Sequence, residues 1–219
     1  MTNKREINFS LYDKIKTIIF DLGGVIFTSG THLTVAKLIE RYHIQDEESL
    51  RLFFNSGRDH DGGLLRLGFI SMDEFERRFY LKFKIKEKHP QHLRLMWFSN
   101  YLPYFSMLNI LKKLSKQYRL VVFSGNIQER VEFLDSRYDF LKFFHESLFS
   151  YDYHFSKKDQ EFYNELLNHI HCKPSEALLI DDSFEVIEMA KCLNLHTLLF
   201  SYTEQFVEEM LHYRIKIEI

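Results

Sequence analysis

Short, continuously apolar runs alternate with stretches of helical spacing along most of this chain. Ile18-Ile19-Phe20, Leu120-Val121-Val122-Phe123 and Ala177-Leu178-Leu179-Ile180 have no polar face, and His196–Phe200 ends in a similar run. Runs of three or four such residues predict strands buried on both sides of a parallel sheet. A short further strand is expected near Phe149. Helical faces fall between them: Met107, Leu108, Ile110, Leu111 and Leu114; Val131 to Leu134; Gln160 to Ile170; and Val186, Ile187 and Ala190, with a last helix from about Glu204. Strand and helix taking turns in this way predict an α/β fold with a Rossmann-like parallel sheet.

From about His32 to Phe98 the pattern changes. Leu33, Ala36, Leu38 and Ile39, then Leu50, Phe53 and Phe54, fit amphipathic helices. Ser71 is placed to cap a helix running through Phe79, with Glu74 at the capping-box position. Ser56 to Gly63 reads as a glycine-rich, charged loop. The chain thus divides into an α/β core of residues 1–29 and 103–219 and a helical insertion of residues 30–102.

Composition narrows the function classes. The 22 phenylalanines among 219 residues call for an aromatic core, and a net charge of −2 gives no reason to expect nucleic-acid binding. Two cysteines, Cys172 and Cys192, make no disulfide framework. Met1 to Lys16 lacks the apolar segment of a signal peptide, and no stretch approaches a membrane span, so a cytoplasmic protein is expected. The Asn8-Phe9-Ser10 sequon is then a chance match. His169 and His171 are two apart near a helix end and point in different directions, which argues against a transition-metal site. The pattern does not fix the oligomeric state.

The candidate chemistry sits at strand ends. Asp21 follows the first strand and precedes Gly23-Gly24, where the backbone can turn sharply beside a ligand. Ser124-Gly125-Asn126 follows the second strand, and Asp181-Asp182-Ser183 a later one. In a parallel sheet these ends share one edge and can converge. Lys157-Lys158 opens a helix that can reach the same edge. Clustered carboxylates need a cation, and oxygen-only ligands point to Mg²⁺ with a phosphate-bearing substrate. Lysine, hydroxyl and metal around one carboxylate make a phosphoryl clamp.

These motifs resemble those of the haloacid dehalogenase (HAD) superfamily of phosphohydrolases over residues 15 to 202. Asp21-Leu22-Gly23-Gly24-Val25 is similar to its first motif, Ser124-Gly125-Asn126 to its second, Lys157-Lys158-Asp159 to its third and Asp181-Asp182-Ser183 to its fourth. Leu67-Gly68-Phe69-Ile70-Ser71 resembles part of its helical type-1 cap, and the Phe-Asp-Leu-Gly-Gly-Val motif resembles a subgroup containing sugar-phosphate phosphatases. The resemblance implies that Asp21 is a nucleophile forming an aspartyl-phosphate. It implies that Asp21, the Gly23 carbonyl and Asp182 bind Mg²⁺, with Asp181 sharing the metal or holding one of its waters. Ser124 would donate to a phosphate oxygen, and Lys157, rather than Lys158, would neutralise Asp21. Gly24, Gly125, Asn126 and Lys158 are expected near the substrate, with Arg58 and His60 of the 56–63 loop selecting it.

One departure stands out. Gly23 occupies the place of the family's second aspartate, its general acid and base, whose contribution is typically worth ~10²–10⁴ in rate. Asp59, His60 and Asp61 are candidate substitutes. Three functions follow: a Mg²⁺-dependent phosphatase of a small phosphorylated metabolite, a non-catalytic phosphate- or protein-binding module, and, with the acidic pair arguing against it, a metal-independent 2-haloacid dehalogenase.

Overall fold

The computed structural model describes residues 15–86 and 91–217. The expected N-terminal extension and its sequon fall outside them. The apolar runs form five strands: β1 (Thr17–Phe20), β2 (Arg119–Ser124), β3 (Glu146–Phe149), β4 (Ala177–Asp181) and β5 (His196–Leu199). They lie in the order β3-β2-β1-β4-β5, and every pair is parallel.

Register explains the placement of the polar residues. Phe20 pairs with Val122 on one side and Ile180 on the other. Asp21, Ser124 and Asp181 therefore emerge together from the carboxyl edge of the three central strands. Side chains alternate across the sheet. Ile18, Phe20, Leu120, Val122, Leu178 and Ile180 join one core cluster, and Ile19, Val121, Phe123 and Leu179 the other.

Among the described residues six helices lie between β1 and β2, and the first five belong to the insertion: α1 (Thr31–Tyr42), α2 (Glu47–Phe53), α3 (Asp61–Arg66), α4 (Met72–Lys82) and α5 (His92–Phe98). The α/β part carries α6 (Phe105–Leu114), α7 (Gln128–Tyr138), α8 (Ser150–Tyr153), α9 (Gln160–His169), α10 (Phe184–Cys192) and α11 (Thr203–Met210). Helices α9 and α10 cover one face of the sheet through Phe162, Tyr163, Leu166, Val186 and Ile187. The other face is continuous with the interior of the insertion. There Phe53, Phe75 and Trp97 pack with ring centroids 4.6 Å (Phe53 to Phe75) and 5.4 Å (Phe75 to Trp97) apart. Phe98 reaches Phe133 of α7 at 5.8 Å.

Two sequence expectations need correction. The buried stripe of α1 is Thr34, Val35 and Leu38, while Leu33 and Ala36 face solvent. Thr34 is tolerated inside because its hydroxyl donates to the Gly30 carbonyl at 3.0 Å. The 56–63 segment is only partly loop, because α3 starts at Asp61 and includes Gly62 and Gly63. A Cβ on Gly62 would lie 2.6 Å from the Phe54 backbone, and one on Gly63 would lie 1.9 Å from the Gly57 carbonyl oxygen. These glycines serve close packing of a helix on the preceding turn, which sequence reading takes for flexibility.

Candidate active site

A cleft of about 980 Å³ lies where the helical insertion faces the carboxyl edge of the sheet. Asp21, Ser124, Lys157, Asp181 and Asp182 all line it. One carboxylate oxygen from each of Asp21, Asp181 and Asp182 lies within 4.8 Å of the others. Among the described residues this is the one cluster of three or more groups with metal-ligand spacing. Lys157 Nζ bridges two of them, 2.8 Å from Asp21 Oδ1 and 2.5 Å from Asp181 Oδ2. The second oxygen of Asp181 accepts from the Ser183 amide at 2.8 Å. Asp181 is thus a buried anchor for the lysine, whereas Asp182 opens toward the cleft.

The electrostatics call for a cation. Three ionised carboxylates and one ammonium leave two negative charges unbalanced. Burial would depress the Lys157 ammonium, but Asp181 and Asp21 outweigh it and hold the lysine firmly protonated. Removal from water, and then the charges of Asp21 and Asp181, push the Asp182 carboxyl up to about 6. A divalent cation relieves that repulsion. The donors are all oxygens, and Mg²⁺ binds oxygen at about 2.0–2.1 Å and keeps several waters. The observed separations suit such an ion, directly or through one of those waters. The residues therefore fit Mg²⁺.

Gly24 shapes the turn that brings these groups together. Its φ is +86°, and a Cβ there would lie 1.9 Å from Asp182 Oδ2. Its amide donates to the Phe27 carbonyl at 2.6 Å, and it is not among the residues lining the cleft. Gly23 lines the cleft, and a Cβ there would find its nearest neighbour, Tyr101 Cε1, at 3.9 Å.

Other expected contacts divide. Gly125 and Asn126 line the cleft, but the Asn126 side-chain oxygen is taken by the Ile127 amide and by Arg130 Nε at 2.7 Å. Lys158 stands at the rim, 3.7 Å from Glu185. Arg58 reaches the cleft wall while pairing with Asp159 at 2.7 Å and donating to the His154 carbonyl. It is a strut between the insertion and the α/β part. His60 precedes α3 and is not among the lining residues. Asp59 and Asp61 also lie off the cleft wall, and Asp61 is held by Arg78 at 3.0 Å. None of the three proposed substitute acids reaches the chemistry. His169 and His171 take separate partners, the Glu165 carbonyl and Glu146.

Sequence reading missed Ser150, Arg66 and Arg130. Ser150 follows β3 at the same sheet edge as Ser124, and its hydroxyl is buried without a partner. The equivalent strand-end position was the available signal. Arg130 falls four residues after Asn126 on an otherwise apolar helix face, and it is 2% exposed.

A profile described as haloacid dehalogenase-like hydrolase matches residues 15–194. An uncharacterized protein of Dictyostelium discoideum is 30% identical over 169 residues, 75% of this chain and 70% of that one. A HAD-like family hydrolase of Porphyromonas gingivalis superposes with a TM-score of 0.76 at 20% identity, over 94% of this chain and 100% of that one. A HAD family enzyme of Bacteroides thetaiotaomicron, solved with magnesium and inorganic phosphate, gives 0.72 at 20% identity over 84% and 93%. L-2-haloacid dehalogenase of Xanthobacter autotrophicus gives 0.60 at 15% identity over 90% and 83%. Four motifs on one sheet edge, a parallel sheet with helices inserted after its first strand, and a profile match over most of the length agree: the chain belongs to the haloacid dehalogenase-like hydrolases.

Proposed function

We propose that this protein is a Mg²⁺-dependent phosphatase acting on a small phosphorylated metabolite through an aspartyl-phosphate, with its helical insertion as a cap over the site. The observation that carries the reading is the Asp21–Asp181–Asp182 cluster bridged by Lys157. A metal-independent dehalogenase has no need of so much uncompensated negative charge. The magnesium and phosphate bound by the Bacteroides relative support the same reading.

Asp21 attacks phosphorus, the P–O bond to the alcohol breaks, and the alkoxide takes a proton from water in the cleft. Water then attacks the phosphorus, releasing inorganic phosphate and restoring the Asp21 carboxylate. Lys157 holds Asp21 in place and offsets charge on the transferring group. The Ser124 hydroxyl donates to a phosphoryl oxygen. Asp21, Asp182 and the Gly23 carbonyl would hold Mg²⁺, which would supply charge neutralisation and orient the phosphate.

With glycine at position 23 and no cap-loop acid at the site, substrates with good leaving groups are favoured. The experiment is hydrolysis of 4-nitrophenyl phosphate with Mg²⁺ and with chelator. Turnover that requires Mg²⁺ is expected. Gly23→Asp, for which there is room, should raise turnover of a poorer leaving group, with ~10² as the lower end of general acid–base effects. The alternative reading, a non-catalytic phosphate-binding module, is favoured by Gly23 itself. No turnover of any phosphate ester by wild type or by Gly23→Asp would establish it.

A further inference from the structure

The cap side of the cleft is cationic. Helices α1 to α5 and their loops contribute Arg51, Arg58 and Arg66 to the lining and no carboxylate. Arg51 pairs with Glu47 and Arg58 with Asp159. Arg66 donates only to the carbonyls of Phe54 and Gly62. Across from it, Arg130 of α7 donates Nε to Asn126, and its Nη1 is buried with no hydrogen-bond partner. Both guanidiniums lie against the Trp97 indole, at 5.5 and 5.4 Å, and Arg130 stacks on Tyr101 at 4.1 Å. A half-buried and a buried guanidinium are thus held against one indole, and among the described residues neither forms a salt bridge. Burial and the neighbouring Arg130 push the Arg66 guanidinium down to about 10.

A packing role for Arg130 is met by its Asn126 bond and its stack. It leaves unexplained a buried donor without a partner, of a kind native structures rarely keep, and a second arginine beside it. Guanidiniums present planar pairs of N–H donors suited to carboxylate and phosphate oxygens. We propose that Arg66 and Arg130 form a second anion subsite, so that the substrate is a phosphate monoester carrying another anionic group, a carboxylate or a second phosphate, on its leaving part. The inference rests on the phosphatase reading for the word substrate, but binding can be read without turnover. The anion ties α3 of the cap to α7 of the core, which couples recognition of the leaving group to closure over Asp21.

Two matched pairs test it by calorimetric titration in Mg²⁺ with the Asp21→Asn protein. The first is 3-phosphoglycerate against glycerol 3-phosphate, and the second is fructose 1,6-bisphosphate against fructose 6-phosphate. The doubly anionic member of at least one pair should bind ten times more tightly or better, and the responding pair says whether carboxylate or phosphate is read. Arg66→Met and Arg130→Met should each erase the preference. If Arg130→Met does not fold, Arg130→Lys, which keeps the charge and loses the fork, should reduce it, and Arg66→Met remains decisive. Equal binding within both pairs, or a preference surviving the substitutions, overturns the proposal. Failure to hydrolyse any phosphate ester, these doubly anionic ones included, overturns the phosphatase reading alone and leaves the titration result standing.

Discussion

Lys157 is the residue on which the site's charge balance hangs. Its side chain is 13% exposed, and those of Asp21 and Asp181 are 11% and 3% exposed. Removing one partner of a buried ion pair leaves the other charges uncompensated and costs about 3–5 kcal/mol. Lys157→Met should therefore lower the midpoint of thermal unfolding by ~6–20 °C at ~2–4 °C per kcal/mol for a chain of this size. Added Mg²⁺ should recover part of the loss. Differential scanning calorimetry with and without the metal checks both. The positions of Asp21, Ser124 and the acidic pair at one sheet edge were legible because each stands next to an apolar run whose burial fixes where the residue emerges. Arg130 and Arg66 were not. Neither sits at a strand end, and an arginine inside a helical stripe reads as a solvated charge until the fold wraps Trp97 and Tyr101 around it.

At the scale of elements, α4 shows local rules at work. The Ser71 hydroxyl accepts from the Glu74 amide at 3.2 Å, as the sequence predicts. The Glu74 carboxylate does not reach back to complete the box. It is held instead by Arg77 at 2.6 Å and Arg78 at 2.7 Å, three and four residues further along the helix. Hydrogen bonds from these arginines bring its carboxyl down to about 2 from 4.5. A carboxyl depressed on folding contributes stability that is present above its unfolded value, about 4.5, and lost as pH falls toward about 2. Glu74→Gln should thus destabilise at neutral pH, and the difference from wild type should narrow between about pH 5 and pH 3 in urea titrations. Short helices are where sequence reading fails. Helix α3 carries two glycines in its first turn, and only the backbones of Phe54 and Gly57 pressing on them explain why.

For the whole molecule, insertion and sheet share one core. Phe20 and Val122 of the sheet belong to the same buried cluster as Phe53, Phe75 and Trp97 of the insertion. The insertion is therefore expected to unfold with the sheet. Phe75→Ala should cost about 3–5 kcal/mol, and calorimetry should show one transition moved down rather than a separate early melting of the insertion. The sequence could mark the insertion by its change of period, but not this continuity, which depends on contacts such as Phe98 with Phe133. No helix among the described residues is long and apolar enough to cross a membrane. On the proposed function, the sheet edge would supply the nucleophile and its counter-charges, and the insertion would supply one wall of the cleft. The nucleophile is the centre of this account, and Asp21→Asn tests it most directly. With Mg²⁺ saturating, turnover of 4-nitrophenyl phosphate should fall at least a thousandfold while the protein still folds and binds phosphate. Turnover within tenfold of wild type would contradict it.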